Sequence, residues 1–287
     1  MELRHIAGRT GRLSSFLREE MGLSAGLVNR LKWQQKLFVN GTAQFTNYAV
    51  VPGDVITVPI DEPAPDYPAE DGPVEILYED AHFLAVDKPA GMLIHPSRHC
   101  NAGTLANLVA GYYQKTGQPC AFHPITRLDR DTFGVVLLAK TAHIHAAMQL
   151  PAHPVEKTYH ALVFGVPEPS NGCIDAPIAR RSAPSLLREV RQDGKASFTQ
   201  YQLLERFDGY SKLALQPVTG RTHQLRVHCA YMGHPILGDP QYNTPSSLAL
   251  SQDFSLQTQQ LCAYTLRWMH PVSGERLELF SRMDVKV

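Results

Sequence analysis

One stretch of the chain organises the rest, and it reads His123-Pro-Ile-Thr-Arg-Leu-Asp-Arg-Asp-Thr-Phe-Gly-Val-Val-Leu-Leu-Ala-Lys140. Its first half, residues 126–132, brings two arginines and two aspartates close together. Its second half, residues 134–139, is a short apolar run rich in valine and leucine, which predicts a buried strand. Charges at the mouth of a buried strand are where a fold can hold a reactive side chain rigidly beside a cleft. Spacing alone, by contrast, favours an ordinary solvated loop.

The composition limits the class of protein. The chain has 287 residues, 44% of them hydrophobic, which is enough for one large core and a small extra domain. Lysine plus arginine equals aspartate plus glutamate, at 27 each. Because the chain as a whole is not a polycation, any binding of nucleic acid must come from local patches.

The cysteines and the hydropathy pattern indicate the compartment. The five cysteines are scattered, odd in number and never spaced as Cys-x-x-Cys, which argues against a disulfide framework or a zinc ribbon. The N-terminus has no apolar signal region, and no apolar run approaches the ~20 residues that cross a bilayer. We therefore expect a cytoplasmic protein that does not associate with membranes.

Residues 1–60 are predicted to form a small module of their own. Apolar residues recur at helical spacing over residues 13–21, and Ser24 can cap a second helix that continues to Leu31. Two hairpin-type turns follow, Val39-Asn40-Gly41 and Gly53-Asp54, the second leading into an apolar strand. The pattern predicts two helices followed by short strands.

This order of elements, from Arg12-Leu13 through Val39-Asn40-Gly41 to Gly53-Asp54, resembles an S4-like α/β RNA-binding domain along most of its length. Residues 1–60 carry seven Lys/Arg against four Asp/Glu, an excess that a solvated helix face would also show. The resemblance implies RNA binding through basic residues of this module, namely Arg12, Arg18, Arg30 and Lys32.

A change in composition separates this module from the rest of the chain. Residues 61–75 contain four prolines and six acidic residues but no basic ones, which predicts an extended, self-repelling linker. In residues 76–287 strand patterns dominate, with helices inserted irregularly. We therefore expect an α+β domain on a mixed, mostly antiparallel sheet, without the regular alternation of a Rossmann fold.

Signatures of common cofactors and metals are missing. The sequence has neither Gly-x-Gly-x-x-Gly after a strand nor the phosphate-binding Gly-x-x-x-x-Gly-Lys. His223, His228 and His234 are spaced by five and six residues, which does not place them on one helical face. We therefore expect neither a metal nor a cofactor.

Four stretches, one of them inside residues 123–140, decide the interpretation. They read Tyr78-Glu-Asp-Ala-His-Phe-Leu-Ala-Val-Asp-Lys-Pro-Ala-Gly-Met-Leu-Ile-His-Pro96, Arg127-Leu-Asp-Arg-Asp-Thr132, Lys157-Thr-Tyr-His-Ala-Leu-Val-Phe-Gly165, and Thr219-Gly-Arg-Thr-His-Gln-Leu-Arg-Val-His228, which continues to Gly233-His-Pro-Ile-Leu-Gly-Asp239. Together and in this order they resemble the RluA-type pseudouridine synthases of large-subunit rRNA and tRNA. The resemblance covers about residues 76–280.

The resemblance implies that the protein isomerises uridine inside an RNA chain. The bond between uracil and ribose breaks, the base rotates, and a carbon–carbon bond forms, without a cofactor. RluA-type enzymes with an S4-like domain tend to act on large-subunit rRNA, so rRNA is expected before tRNA. We also expect a monomer.

The resemblance also assigns roles to single residues. Asp129 matches the catalytic aspartate, Arg226 the arginine that pairs with it, and Tyr159 the tyrosine that stacks on the target base. Arg127 matches an arginine that helps to flip the nucleotide out of the RNA stack. Two residues in the same motif as Arg226 are predicted to reach RNA phosphates, Arg221 and His223.

Three positions depart from the family pattern. Thr126 stands where histidine is usual, Phe133 where serine is usual, and Cys262 where histidine is common. None of them replaces an assigned catalytic residue. We expect them to affect loop geometry and the choice of substrate more than the reaction.

Two other functions fit parts of the sequence. An RNA-binding protein with an inactive synthase-like domain would have lost Asp129, Tyr159 or Arg226, and all three are present. A hydrolase with paired carboxylates could use Asp129 and Asp131, which share one face if the segment is extended. The four motifs instead accompany isomerisation, and release of free uracil from RNA would distinguish the two reactions.

Overall fold

The computed structural model describes residues 2–23, 25–59, 67–97, 100–182 and 185–287. Two predictions fall outside these residues, the helix cap at Ser24 and the first part of the linker, residues 61–66. Across the described ranges, no helix combines the length and the apolar character that crossing a bilayer requires.

The N-terminal module, residues 2–59, has its own sheet and its own buried cluster. Its strands and helices are β1 (Glu2–Ile6), β2 (Gly11–Arg12), α1 (Leu13–Ser15), α2 (Ala25–Trp33), β3 (Phe38–Val39), β4 (Thr42–Ala43), β5 (Ala49–Val50) and β6 (Val55–Pro59). A π-helical turn over Phe16–Glu20 continues α1. The four-stranded sheet has the order β1-β6-β3-β4, and the buried cluster contains residues from Ala7 to Val58 only. The domain boundaries at 60 and 75 stay predictions.

The turn at Val39-Asn40-Gly41 shows how local sequence determines this module. Asn40 and Gly41 have φ angles of 49° and 78°, which suit a two-residue hairpin, and β3 pairs with β4 across them. The Asn40 side chain also donates to Asp54 Oδ1 at 2.8 Å, which ties this hairpin to the second predicted turn.

The rest of the chain forms a ten-stranded sheet. Its strands are β7 (Ile76–Glu79), β8 (Phe83–Lys88), β9 (His123–Pro124), β10 (Phe133–Ala139), β11 (Glu156–Phe164), β12 (Asn171–Asp175), β15 (Phe198–Arg206), β16 (Tyr210–Pro217), β17 (Leu261–Met269) and β18 (Arg276–Phe280). Between β12 and β15, a separate hairpin consists of β13 (Ile178–Arg180) and β14 (Arg188–Val190). The helices are α3 (Leu105–Lys115), α4 (Ala142–Ala147), α5 (Gln224–Tyr231) and α6 (Pro245–Asp253).

The order of the strands explains why the sheet is mixed. It runs β12-β15-β16-β11-β17-β10-β8-β7, with β18 beside β17 and β9 beside β10. Among the described residues, β10 and β17 pair in parallel and the other pairs are antiparallel. This confirms the predicted α+β fold on a mixed, mostly antiparallel sheet.

The strand predicted over residues 134–139 is β10, and all seven of its residues are buried. It begins next to β17, where Gly134 lies opposite Ala263. Gly134 has a φ of 109°, and a Cβ there would collide with the backbone of Ala263. Glycine is therefore required where the charged turn enters the sheet.

The predicted linker needs a correction over residues 67–75. Tyr67 and Val74 pack against the apolar cluster that surrounds α3. The Glu70 backbone N–H donates to the carbonyl of Asn107 at 3.0 Å, and Gly111 allows Glu70 to approach the helix closely. The acidic composition predicted an extended, self-repelling segment. Apolar contacts and hydrogen bonds instead hold residues 67–75 against the rest of the domain.

Candidate active site

The charged turn, residues 126–132, is held by hydrogen bonds from several elements. The Thr126 hydroxyl, which is buried, accepts from the backbone N–H of Leu137 at 3.0 Å. The N–H of Thr132 donates to the carbonyl of Asp129 at 3.2 Å, and the Gln259 amide donates to the Thr132 hydroxyl at 2.6 Å. These contacts fix the backbone on which Asp129 stands.

A buried lysine, Lys88, also holds this turn in place. Lys88 is 0% exposed, and its ammonium donates to the carbonyls of Pro89, Met92 and Arg130 at 2.8, 2.9 and 2.9 Å. Burial lowers the pKa of Lys88 to about 8, while the charges of Asp131 and Asp129 act in the opposite direction. The sequence interpretation gave Lys88 no role, although a lysine at the end of an apolar strand was a usable signal.

Arg226 lies on α5 and is 5% exposed. Its Nη1 donates to Oδ2 of Asp129 at 3.2 Å. Its Nε and Nη2 form a fork with Asp239, at 2.7 and 2.8 Å, and Nη2 also donates to Gln241 at 2.9 Å. The structure thus brings Arg226 to Asp129 but gives the arginine a stronger second carboxylate that the sequence interpretation missed.

These contacts decide the charge of Arg226. Burial acts to lower the pKa of the guanidinium, but the hydrogen bond and charge of Asp239, followed by those of Asp129, raise it above its ordinary value. The guanidinium also lies 4.9 Å from the centre of the Tyr242 ring. Arg226 is therefore a fixed cation beside Asp129.

The two oxygens of Asp129 have different surroundings. Oδ2 receives the hydrogen bond from Arg226 and lies 3.9 Å from Nε2 of His223. In the part of the chain that the structure describes, Oδ1 accepts no hydrogen bond. The side chain is 31% exposed, and Oδ1 is the oxygen that keeps its capacity to accept a hydrogen bond.

Tyr159 lies on β11 with only 8% of its surface exposed. A bulge between Thr158 and Tyr159 interrupts the pairing of β11 with β17 and changes the direction of the side chain. Burial, and then the charge of Asp129, raise the pKa of Tyr159 well above its ordinary value, so the phenol stays neutral. A neutral, rigidly packed ring therefore lies near Asp129.

The other predicted residues differ in position. His223 has a left-handed backbone, with φ of 57°, and its Nδ1 lies 2.8 Å from the Tyr242 hydroxyl. Arg127 and Arg221 are exposed, and Arg221 Nε donates to the carbonyl of Ala196 at 3.1 Å. The basic residues Arg12, Arg18, Arg30 and Lys32 belong to the N-terminal module and not to this site.

The remaining candidate histidines have structural partners. His228 is fully buried between the Thr199 hydroxyl at 2.9 Å and the carbonyl of Ala176 at 3.0 Å. His234 Nδ1 lies 2.8 Å from the carbonyl of Phe164. In the described ranges no group of three or more histidine, cysteine, aspartate or glutamate side chains is arranged to hold a metal.

Two of the three departures from the family pattern are neighbours in the sheet. Phe133 on β10 lies in register with Cys262 on β17, and both belong to one buried apolar cluster. A large side chain thus replaces the usual serine at one position, and a small one replaces histidine at the facing position. We therefore expect the two changes to compensate in volume beside the charged turn.

Comparisons with known proteins show the family to which the chain is similar. Residues 82–231 match the RNA pseudouridylate synthase family. The uncharacterized RNA pseudouridine synthase YlyB of Bacillus subtilis is 39% identical over 249 residues, 85% of this chain and 80% of that protein. Ribosomal large subunit pseudouridine synthase D of Pseudomonas aeruginosa is 37% identical over 219 residues, 73% of this chain and 68% of that protein.

A solved structure is also similar to this chain in fold. Human RNA Pseudouridylate Synthase Domain Containing 1 superposes with a TM-score of 0.59 at 27% identity, over 75% of this chain and 86% of that one. The fold and the matched residues define an RNA-modifying enzyme that isomerises uridine. The chain belongs to the RNA pseudouridine synthases and, within them, to the RluA type.

Proposed function

We propose that this enzyme converts uridine to pseudouridine in large-subunit ribosomal RNA, with Asp129 as the nucleophile or base and without a cofactor. The observation that carries the proposal is the pair formed by Arg226 Nη1 and Asp129 Oδ2, 3.2 Å apart, beside the buried Tyr159 ring. Together the three side chains supply a carboxylate, a fixed cation and a flat ring.

The reaction needs a carboxylate at the junction of sugar and base. The bond between ribose C1′ and uracil N1 breaks, the uracil rotates, and C1′ bonds to C5, whose proton is lost as N1 gains one. Asp129 offers Oδ1 to this junction while Arg226 holds Oδ2. A fixed cation orients the carboxylate before the substrate arrives, which lowers the cost of reorganisation.

The base must leave the RNA stack before it reaches Asp129. An enzyme that acts on a base extrudes the nucleotide and packs the base against aromatic or apolar groups. Tyr159 offers such a ring, and Arg127, two residues before Asp129, is exposed, so its guanidinium can occupy the gap left in the stack. The detached uracil would remain against Tyr159 while it rotates.

In this proposal, the N-terminal module provides a surface that binds RNA. Arg12, Arg18 and Arg30 are exposed, and none of them pairs with a carboxylate of the described residues. Trp33 at the end of α2 is 82% exposed, with the Lys32 ammonium 5.5 Å from its ring. Unpaired cations attract RNA phosphates, and an exposed ring can stack on an unpaired base. This combination supports an S4-like role.

The choice of RNA rests on the relatives. Several of them are ribosomal large subunit pseudouridine synthases from bacteria. An rRNA target therefore ranks before a tRNA target in the proposal. The monomeric state and the cytoplasmic location stay predictions, and a bacterial rRNA substrate is consistent with both.

A hydrolytic reaction that uses Asp129 and Asp131 is less well supported. Asp131 receives a two-pronged contact from Arg130, with both distances at 3.0 Å, whereas Asp129 pairs with Arg226. The two carboxylates thus have separate cationic partners instead of one shared site.

One incubation distinguishes the proposed isomerase from both alternatives. The protein is incubated with unmodified large-subunit rRNA, and pseudouridine and free uracil are both quantified. We expect pseudouridine at a defined position and no free uracil. Free uracil in proportion to enzyme would indicate a hydrolase, and the absence of both products on rRNA and tRNA would favour an inactive RNA-binding protein. Mapping pseudouridine in a strain that lacks the protein then identifies the target.

A further inference from the structure

Tyr242 connects three elements around the active site. Its hydroxyl accepts a hydrogen bond from the backbone N–H of Arg188 in β14, at 2.8 Å. The same hydroxyl lies 2.8 Å from His223 Nδ1. Its ring lies beneath the guanidinium of Arg226, 4.9 Å away. Tyr242 thus contacts the hairpin, the residue before α5 and the cation that pairs with Asp129, while being 8% exposed itself.

The direction of these hydrogen bonds fixes the tautomer of His223. The backbone N–H of Arg188 can only donate, so it occupies a lone pair of the Tyr242 oxygen. Among the described residues the Tyr242 hydroxyl has no acceptor other than Nδ1 of His223, so both groups are satisfied when the hydroxyl donates to an unprotonated Nδ1. In the neutral ring the proton consequently lies on Nε2, the nitrogen that faces Oδ2 of Asp129 at 3.9 Å.

The charged groups around His223 come from every neighbouring element. They are Asp239, Asp129 of the charged turn, Arg226 of α5 and Arg188 of β14, and the neutral Tyr242 hydroxyl lies beside them. Burial lowers the pKa of His223 first, Arg226 and Arg188 act in the same direction, and the two aspartates oppose them. His223 is therefore neutral at neutral pH, in agreement with the tautomer that the hydrogen bonds require.

We propose that His223 and Tyr242 form a positioning pair for Asp129, which directs the neutral Nε2–H to Oδ2 and leaves Oδ1 as the reacting oxygen. This inference rests on the proposed role of Asp129. At 3.9 Å the contact is longer than a hydrogen bond, so the proposal requires Nε2 and Oδ2 to approach each other when uridine binds. Oδ2 would then be held by two donors, Arg226 and His223.

The pair also connects the reacting carboxylate with the hairpin β13–β14. Arg180 and Arg188 of this hairpin bond to backbone carbonyls, and neither pairs with a carboxylate of the described residues. Their charges are therefore available to RNA phosphates.

The test uses Tyr242→Phe, which keeps the ring under Arg226 and removes only the hydroxyl. We expect the single-turnover rate to fall about tenfold, as for the loss of one hydrogen bond to a buried group, with RNA affinity unchanged. A matched control is Tyr231→Phe at the exposed end of α5, which should behave as wild type.

The pH profile separates positioning from a purely structural effect. The Tyr242 hydroxyl stabilises the unprotonated Nδ1, so its removal raises the pKa of His223, and a cationic ring would then compete for Asp129. The acid limb of the rate should move to higher pH by about half a unit or more in Tyr242→Phe. In His223→Gln the group that titrates is absent, so adding Tyr242→Phe to it should cause no further shift.

The outcomes distinguish this inference from the proposed function. If Asp129→Asn is inactive but Tyr242→Phe has the wild-type rate and pH profile, the positioning pair is wrong and the role of Asp129 stands. A reduced melting temperature with an unchanged pH profile would likewise overturn the pair. If Asp129→Asn remains active, the proposed function fails first.

Discussion

The active site and the N-terminal module use arginine in opposite ways. Arg226 is 5% exposed and has two carboxylate partners, Asp239 and Asp129. Arg12, Arg18 and Arg30 are exposed and have no carboxylate partner among the described residues. A buried, paired cation orients its partner, whereas an exposed, unpaired one attracts phosphate and is screened by salt.

Two acidic residues of the module pair with Arg9, and in the described part of the chain Arg12, Arg18 and Arg30 are left unpaired. Glu19 and Glu20 are both engaged by Arg9, at 3.1 and 2.8 Å, so they do not neutralise the other arginines. Mutations should therefore affect folding and chemistry in the active site, but affinity and its salt dependence in the module.

The largest effect is expected at Arg226. Arg226→Ala leaves Asp239, which is 2% exposed, as an uncompensated buried charge, and should lower the free energy of unfolding by about 3–5 kcal/mol. The single-turnover rate should also fall by at least about a hundredfold, because Asp129 loses its orienting donor. Denaturant unfolding and pseudouridine formation measure the two effects separately.

The same residue provides a test of the pairing. Arg226→Ala combined with Asp129→Asn should destabilise the protein by less than the sum of the two single effects, since the two side chains are in contact. Strictly additive changes in the free energy of unfolding would show that Arg226 is not coupled to Asp129. Arg226→Lys keeps the charge but not the fork to Asp239. Its free energy of unfolding and its single-turnover rate should lie between those of wild type and Arg226→Ala.

The next effect concerns Tyr159. Tyr159→Leu removes the flat ring on which a base can stack. This change should raise the activation free energy of the reaction by about 1–3 kcal/mol. Tyr159→Phe keeps the ring, so its rate measures the contribution of the hydroxyl alone. Equal rates for the two variants in single turnover would count against stacking on this side chain.

In the N-terminal module, replacing arginines should change the affinity for RNA. Replacing Arg12, Arg18 and Arg30 together by glutamine should weaken RNA binding and reduce the slope of log affinity against log salt by about 2, or about 0.7 for each phosphate that is no longer neutralised. Arg9→Gln is the matched control, because Arg9 is already paired with Glu19 and Glu20. An unchanged slope in the triple variant would exclude these arginines from the RNA interface.

A fragment tests whether the module is separable. Because Tyr67 and Val74 pack against the apolar cluster around α3, the fragment should begin at residue 67 and end at 287. We expect it to unfold cooperatively and to bind RNA with a shallower salt dependence. Loss of cooperative unfolding would contradict two independent cores.

The smallest effect is a coupling inside the sheet. Phe133→Ser should destabilise the protein by opening a cavity, and Cys262→His should do so by overpacking the facing position. Together they restore the usual family pair, so the double variant should be more stable than the sum of the single effects predicts, by about 1 kcal/mol. Simple additivity in denaturant unfolding would show that the two departures are unrelated.

The sequence predicted much of the fold because local patterns and tertiary contacts agree. The strand over residues 134–139 and the hairpin at Asn40-Gly41 were both predicted from short apolar or turn patterns. Helix α6 was missed, although Thr244 and Pro245 form a clear start signal, because its mixed polar sequence has no apolar stripe. The packing of residues 67–75 was missed because acidic composition does not reveal contacts with a distant helix.

The predicted site shows the same limit. The motifs brought out Asp129, Arg226 and Tyr159, and the structure places the three near one another. Asp239 and Lys88 lie within the sequence motifs yet received no role, because their function depends on partners from other elements, such as Arg226 and the carbonyl of Arg130. Tyr242 follows the last motif, and only the fold places it against His223 and Arg188.

The central claim is that Asp129 performs the chemistry, and one measurement tests it most directly. Pseudouridine formation in a single turnover is compared between wild type, Asp129→Asn and Asp131→Asn, each with a thermal melt. We predict that all three melt alike, that Asp131→Asn stays within a few-fold of wild type, and that Asp129→Asn shows no detectable product. A folded Asp129→Asn that retained more than about a hundredth of the wild-type rate, a loss under ~3 kcal/mol in the barrier, would contradict the claim.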